Sequence, residues 1–183
     1  VHMSRGLGDV YKRQVIIEVG FGDGEHLIES ALSNPKVLFV GSEVYVNGVA
    51  KVLKQILEHD IKNIRLCGMN FIYLLNILNQ NSIDELKIIN PDPWHKKRHF
   101  KRRLVNLENI IKIIGIVKNK YASYITTDSE SYFNYINEIF SSNSNIIHKN
   151  KNKILSENDK LYGVSRYQRK AIKNGKKIYQ LTF

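Results

Sequence analysis

Asp92 stands between two prolines in the stretch Pro91-Asp92-Pro93-Trp94-His95-Lys96-Lys97-Arg98-His99-Phe100-Lys101-Arg102-Arg103, with six lysines and arginines close behind it. Each proline fixes its own φ and pushes the preceding residue towards extended backbone, so the carboxylate of Asp92 belongs to a stiff loop with a defined direction. A carboxylate held that way suits a reactive or recognition role. Lys96, Lys97, Arg98, Lys101, Arg102 and Arg103 suit a polyanion, which they grip through charge and, for arginine, forked hydrogen bonds. Basic runs are also ordinary solvated surface. Here the clustering of charge, more than its total, argues for binding.

A second constellation begins at Gly20-Phe21-Gly22-Asp23-Gly24, directly after an apolar run. Gly20, Gly22 and Gly24 allow a tight turn and close backbone approach to a ligand. Asp23 and Glu25 make the turn a poor seat for a pyrophosphate, so an adenosyl group without phosphates fits better. Glu18 lies near the end of an otherwise apolar strand, and a buried acid needs partners, which the turn amides or a cationic ligand would supply. Glu43 follows the glycine turn by about 20 residues, where a carboxylate receives ribose hydroxyls in dinucleotide folds; a solvated strand-end acid is the plain alternative. Asn70 suits either adenine recognition or a helix N-cap. Asp128 after Thr126-Thr127 either orients a base or caps the next helix. Trp94 either stacks on a base or packs beneath its loop.

The elements that position these groups follow from periodicity. Residues 15–19, 36–44, 64–67, 83–89 and 121–126 read as strands, and helical stripes fill the intervals, including 71–78, 104–117 and, beyond the fifth strand, 132–140. Alternating strands and helices imply right-handed crossovers and an open, mostly parallel α/β sheet with helices on both faces. Residues 178–183 alternate in strand fashion and predict a late, antiparallel strand. The segment 143–158 has no clear period. In such sheets ligands bind beyond the carboxyl ends of the strands, which brings Glu18 to Gly24, Glu43, Asn70 and Asp92 to one rim.

With 183 residues and 43% hydrophobic content, the chain fits one domain with a real core, predicted over residues 15–183. Residues 1–14 carry Gly6, Gly8 and mixed charges and read as a disordered or foreign leader. A formal charge of +11 and a pI near 9.6 favour nucleic acid or another anionic surface. The single Cys67 excludes an internal disulfide and a Cys-rich metal site. Apolar runs fall short of the roughly 20 residues that span a bilayer, so a soluble, cytoplasmic protein is expected, with neither membrane nor metal as partner.

These motifs together resemble the bacterial tRNA (guanine-N7)-methyltransferase family. Glu18-Val-Gly-Phe-Gly-Asp-Gly24 resembles its E-I-G-F-G-x-G turn, Gly41-Ser-Glu-Val44 its G-x-E-V element, Pro91 to Arg103 its P-D-P-W-x-K-x-R-H-x-K-R-R signature, and Thr127-Asp128 with Tyr132 its T-D-x-x-x-Y element. The resemblance implies a Rossmann-like seven-stranded, mostly parallel sheet with an antiparallel last strand. It also implies transfer of a methyl group from S-adenosyl-L-methionine to N7 of guanine 46 in the variable loop of tRNA, by a monomer or homodimer. Glu18, Glu43, Asn70 and Asp92 match cofactor-contacting positions, Asp92 the proposed catalytic acid, and Lys96 and Asp128 substrate-contacting positions. Ser165, Arg166, Tyr167 and Gln168 fall on the T-x-[FY]-E substrate element, with Ser and Gln replacing Thr and Glu. Asn70 replaces an acid and Asn90 an aromatic. These departures leave an alternative: a catalytically impaired RNA-binding relative of the same fold. A methyltransferase of another substrate class is a third reading, disfavoured by the long basic signature.

Overall fold

The apolar run after Gln14 forms β1 (Val15–Val19), whose alternate side chains enter two different cores. In a computed structural model describing residues 14–118, 122–143, 151–156 and 166–183, β1 lies near the centre of a seven-stranded sheet. The chain continues through α1 (Glu25–Ser33), β2 (Leu38–Ser42), α2 (Val46–Glu58), β3 (Ile64–Cys67), α3 (Phe71–Ile77) and β4 (Glu85–Ile89). A 3-10 helix, Lys97–Arg102, precedes α4 (Leu107–Ile116), β5 (Tyr124–Thr127), α5 (Glu130–Ser142), β6 (Lys151–Leu155), α6 (Arg166–Lys173) and β7 (Ile178–Thr182).

The strand order is β3-β2-β1-β4-β5-β7-β6. Strands β1 to β5 pair in parallel, and β7 inserts antiparallel between β5 and β6. The order reverses between β1 and β4, so the crevice of an open α/β sheet lies beyond the carboxyl ends of those two strands. Both chemistry-bearing motifs of the sequence, the glycine turn and the proline-braced acid, follow β1 and β4. The antiparallel final strand expected from 178–183 is present as β7.

Period-2 alternation gives the sheet two unlike faces. Ile17, Val19, Leu86, Ile88, Ile125 and Leu181 line the aliphatic face, under α3, α4 and α5. On the other face Ile16, Phe39 and Ile64 pack with Leu27, Ile28 and Val52 of α1 and α2. Further along that same face the register sets Glu18 beside Lys87, and Lys87 beside Tyr124. Lys87 is only 8% exposed, and its Nζ lies 3.7 Å from Glu85. Burial raises the Glu85 pKa above its ordinary value, partly offset by the Lys87 charge.

Several boundaries differ from the sequence expectation. The helix expected over 104–117 begins at Leu107, because Asn106 caps it by accepting from the Asn109 amide at 2.9 Å, and the cationic stretch ahead winds as a 3-10 helix. Strand β2 ends at Ser42, leaving Val44 exposed. Strand β6 arises within the segment that showed no period: it is an edge strand whose Asn152, Lys153 and Ile154 are exposed, so that among its described side chains only Leu155 carries a burial signal. Residues 1–13 of the expected leader lie outside the described residues.

Candidate active site

A cavity of about 670 Å³ opens at the reversal in strand order, lined by Glu18, the glycine turn, His26, residues 89–93, Asp128, Tyr167 and Lys170. Its floor is the turn after β1. Gly20 has φ 79°, and a Cβ there would stand 2.9 Å from the Ile89 carbonyl oxygen at the end of β4. Gly24 has φ 77°, and its Cβ would stand 2.0 Å from Val52 Cγ2. A side chain at Gly20 would push the turn off the end of β4, and one at Gly24 would push it off α2, so the turn stays bare backbone facing the cavity.

Glu18 is 1% exposed, and its Oε2 lies 2.6 Å from His26 Nδ1 on α1. The partner of this buried acid is therefore a histidine two residues past the last glycine, in the first turn of α1, a residue the sequence reading did not single out. Its signal was available: His26 is a polar side chain next to Leu27 and Ile28 on the inward face of α1. Glu43 stands just past the end of β2, as expected, with its carboxylate taken up by backbone amides. Its Oε2 accepts from Gly22 N at 2.8 Å, and its Oε1 from Val44 N and Tyr45 N at 2.8 and 2.9 Å. Glu43 thus ties the glycine turn to the start of α2 and stands behind the cavity lining rather than on it.

Asp92 is exposed in the cavity, on a loop fixed at both ends. At one end the Asn90 amide donates to Thr126 O at 3.0 Å, with Asn90 at φ 45°, a left-handed conformation that asparagine tolerates and an aromatic does not favour. At the other end Arg103 Nε donates to Pro93 O at 2.8 Å. The guanidinium of Arg103 is enclosed by rings, 3.7 Å from the Phe100 centroid, 4.7 Å from Tyr132 and 4.8 Å from Tyr135. At 3% exposure it is not available to an external phosphate, which corrects the expectation that Arg103 belongs with the phosphate-contacting cations. Lys96, Lys97, Arg98, Lys101 and Arg102 are all exposed beside the loop. Trp94 packs, edge-on to His99 at 5.6 Å and beneath Arg102 at 5.2 Å.

Asp128 lines the cavity and accepts from the Tyr167 hydroxyl at 2.8 Å, with Lys176 Nζ at 3.5 Å. That hydrogen bond raises the Tyr167 pKa above the usual tyrosine range, with a smaller contribution from burial. The cap of α5 is Ser129, which frees Asp128 for α6. Asn70 caps α3, accepting from Ile72 N at 3.0 Å, and lies off the cavity lining. Gln168 is buried under the rim, donating to Thr126 Oγ1 at 2.9 Å, and a neutral amide suits that enclosed position better than a carboxylate. Ser165 lies outside the described residues. The structure thus assembles Glu18, Gly20, Gly22, Gly24, Asp92, Asp128 and Tyr167 on one cavity, and sets Glu43, Asn70, Lys96, Arg103 and Gln168 around or away from it.

A seven-stranded sheet of this order, with a bare glycine turn after the first strand and an acid after the fourth, defines a Rossmann-like methyltransferase. Solved structures agree in fold: an antibiotic-related methyltransferase matches with TM-score 0.68 over 98% of this chain and 92% of its own, at 16% identity. A 16S ribosomal RNA methyltransferase matches with TM-score 0.65 over 92% and 86%, at 12% identity. The methyltransferase family model Methyltransf_4 matches residues 12–181. A tRNA (guanine-N7)-methyltransferase of Buchnera aphidicola is 33% identical over 170 residues, covering 92% of this chain and 71% of the relative. The chain belongs to the tRNA (guanine-N7)-methyltransferase family. A bifunctional methyltransferase of Rickettsia felis is 41% identical over 162 residues, 88% of this chain but 31% of the relative, so the chain spans about a third of that protein.

Proposed function

We propose that the protein transfers a methyl group from S-adenosyl-L-methionine to N7 of a guanine in tRNA, guanine 46 of the variable loop being the site implied by the family signature. The observation that carries this reading is the convergence of Asp92 with the glycine turn and Glu18 on one cavity. The cavity's 670 Å³ falls within the range of about 300–1,000 Å³ usual for small-ligand sites. Glu18 and the bare turn backbone fit an adenosyl amino acid. Glu43, through Gly22, holds that turn in shape.

When bound, S-adenosyl-L-methionine supplies a methyl group on a sulfonium, which guanine N7 attacks with its own lone pair, so no general base is needed. The protein's part is orientation and charge. Asp92, on its braced loop, accepts hydrogen bonds from the guanine N1–H and N2–H edge and stabilises the positive charge that grows on the purine. Holding both reactants in line supplies roughly 7–11 kcal/mol of the barrier reduction. Lys97, Arg98, Lys101 and Arg102 bear on tRNA phosphates, and Asp128 on the cavity lining and Lys96, exposed beside the loop, are assigned to the substrate by the family signature.

Incubation with tritiated S-adenosyl-L-methionine and bulk tRNA, followed by chain cleavage at 7-methylguanosine, tests the reading. Label at a single variable-loop guanine is the expected product. Saturable tRNA binding without label, and without heat on titration with S-adenosyl-L-methionine, would instead identify an RNA-binding relative that has lost catalysis.

A further inference from the structure

We infer that α6 and the turn after it form a second phosphate-binding wall beside the cleft, which takes the sugar-phosphate backbone of the RNA; this rests on the tRNA reading above. Between Arg166 and Lys177 the sequence holds six lysines and arginines and no acid, matching the number in the signature after Asp92. Topology places these cations at the rim. Because β7 runs antiparallel, it starts at the carboxyl end of β5, with Tyr179 paired to Thr127, and the turn joining α6 to β7 arrives beside Asp128.

The two faces of α6 have separate tasks. Gln168 and Ala171 are buried, and Ala171 packs with Leu155 and Ile178. Tyr167, Arg169, Lys170 and Lys173 face outward. Two cations fasten the element: Arg169 reaches Glu25 at 3.5 Å, and Lys176 reaches Asp128 at 3.5 Å. Lys170, Lys173 and Lys177 are exposed and make no ion pair among the described residues. Lys170 lines the cavity itself, and Lys173, three residues on, continues the same helical face outward. A row that begins in the cleft and leads away from it suits a chain of phosphates rather than one small anion. A lipid surface fits less well, since the apolar face that a membrane-seated helix needs is spent on the core.

The test measures tRNA affinity against salt for the wild type and for Lys173→Ala with Lys177→Ala, two residues remote from the cavity lining. The double variant is expected to bind tRNA several-fold more weakly, with the slope of log affinity on log salt reduced by roughly one to two. Its affinity for S-adenosyl-L-methionine and its turnover at saturating tRNA stay at wild-type values. Lys173→Glu with Lys177→Glu should weaken binding further. An unchanged slope in both variants, with a wild type that binds and methylates tRNA, overturns the inference and leaves the enzymatic reading standing. A wild type that neither binds nor methylates tRNA removes both. Binding to phosphatidylserine vesicles that both variants lose, with tRNA affinity intact, would reassign the surface to anionic membranes and overturn the inference equally.

Discussion

Arg103 Nε donates to the carbonyl oxygen of Pro93 at 2.8 Å, so the last cation of the basic signature holds the loop that carries its only acid. The guanidinium is wrapped by Phe100, Tyr132 and Tyr135, and Tyr132 is fixed in turn by accepting from Val105 N at 3.1 Å. Burial lifts the Tyr132 pKa well above its ordinary value, so this hydroxyl stays protonated. The signature therefore splits by burial into a clamp and an exposed cationic face.

Arg103→Lys keeps the charge but loses the fork and the stacking plane, and Arg103→Met loses every donor. Each is expected to cost about 2–3 kcal/mol of stability, from a lost charged hydrogen bond and cation–π contacts. Each should also lower kcat by about tenfold or more while leaving the salt dependence of tRNA binding as in wild type. Lys101→Ala with Arg102→Ala should do the reverse, flattening the salt slope by roughly one to two with little change in kcat at saturation. Filter binding across a salt series, with steady-state kinetics, separates the two roles. A reduced salt slope for Arg103→Met would return Arg103 to the phosphate-binding set.

Asp92→Ala and Asp92→Asn remove the one negative charge of the loop without disturbing either of its anchors. Methylation is expected to fall by about a hundredfold or more, as for other preorganised electrostatic groups, while tRNA affinity stays within about twofold of wild type. Single-turnover methyl transfer measures the first and equilibrium binding the second. Normal turnover in Asp92→Ala would remove this carboxylate from the chemistry.

What could be read from the sequence was whatever has a local cause. The glycine turn, the proline-braced acid and the apolar periods each follow from constraints acting within a few residues, and the parallel strands β1 to β4 and the antiparallel β7 stand where those periods place them. Partnership across the fold was not legible. That Glu18 pairs with His26, that Glu43 turns its carboxylate to Gly22 rather than outward, and that Arg103 is inside while Arg102 is outside all depend on packing between elements. A basic run shows charge, whereas only the aromatic residues at Phe100, Tyr132 and Tyr135 hint that one member is caged, and two of those come from α5. Edge strand β6 was hidden for a related reason: with so few buried side chains it carries almost no pattern.

The pair Glu18–His26 is part of the cavity lining and predicts a coupled loss. His26→Ala leaves a buried carboxylate short of its partner, at a cost of about 1–3 kcal/mol. The freed acid is also expected to misplace its side chain, weakening S-adenosyl-L-methionine binding by about tenfold or more. His26→Gln, which keeps a donor, should recover part of both. Thermal melting and calorimetric titration check the pair together. A His26→Ala protein with wild-type cofactor affinity would confine this histidine to packing.

Tyr167 links α6 to the rim through Asp128, and its raised pKa gives that link a pH dependence with a definite sign. The protonated hydroxyl is the donor. A folded-state pKa above the ordinary value of 10.0 means that the folded state holds this proton more tightly than the unfolded chain does. The contribution is therefore complete below about pH 10 and is lost as pH rises through the higher folded value. Difference absorbance titration of wild type against Tyr167→Phe is expected to show one tyrosine ionising later than the exposed set, and Asp128→Asn should return it towards the ordinary range. Because Tyr132 also titrates late, only the difference between the two proteins reports Tyr167. At neutral pH Tyr167→Phe should raise KM for tRNA more than it lowers kcat, since the hydroxyl fastens the wall of the cleft rather than touching the reacting nitrogen. Ionisation of Tyr167 within the ordinary range would mean that α6 is not held to Asp128 in solution.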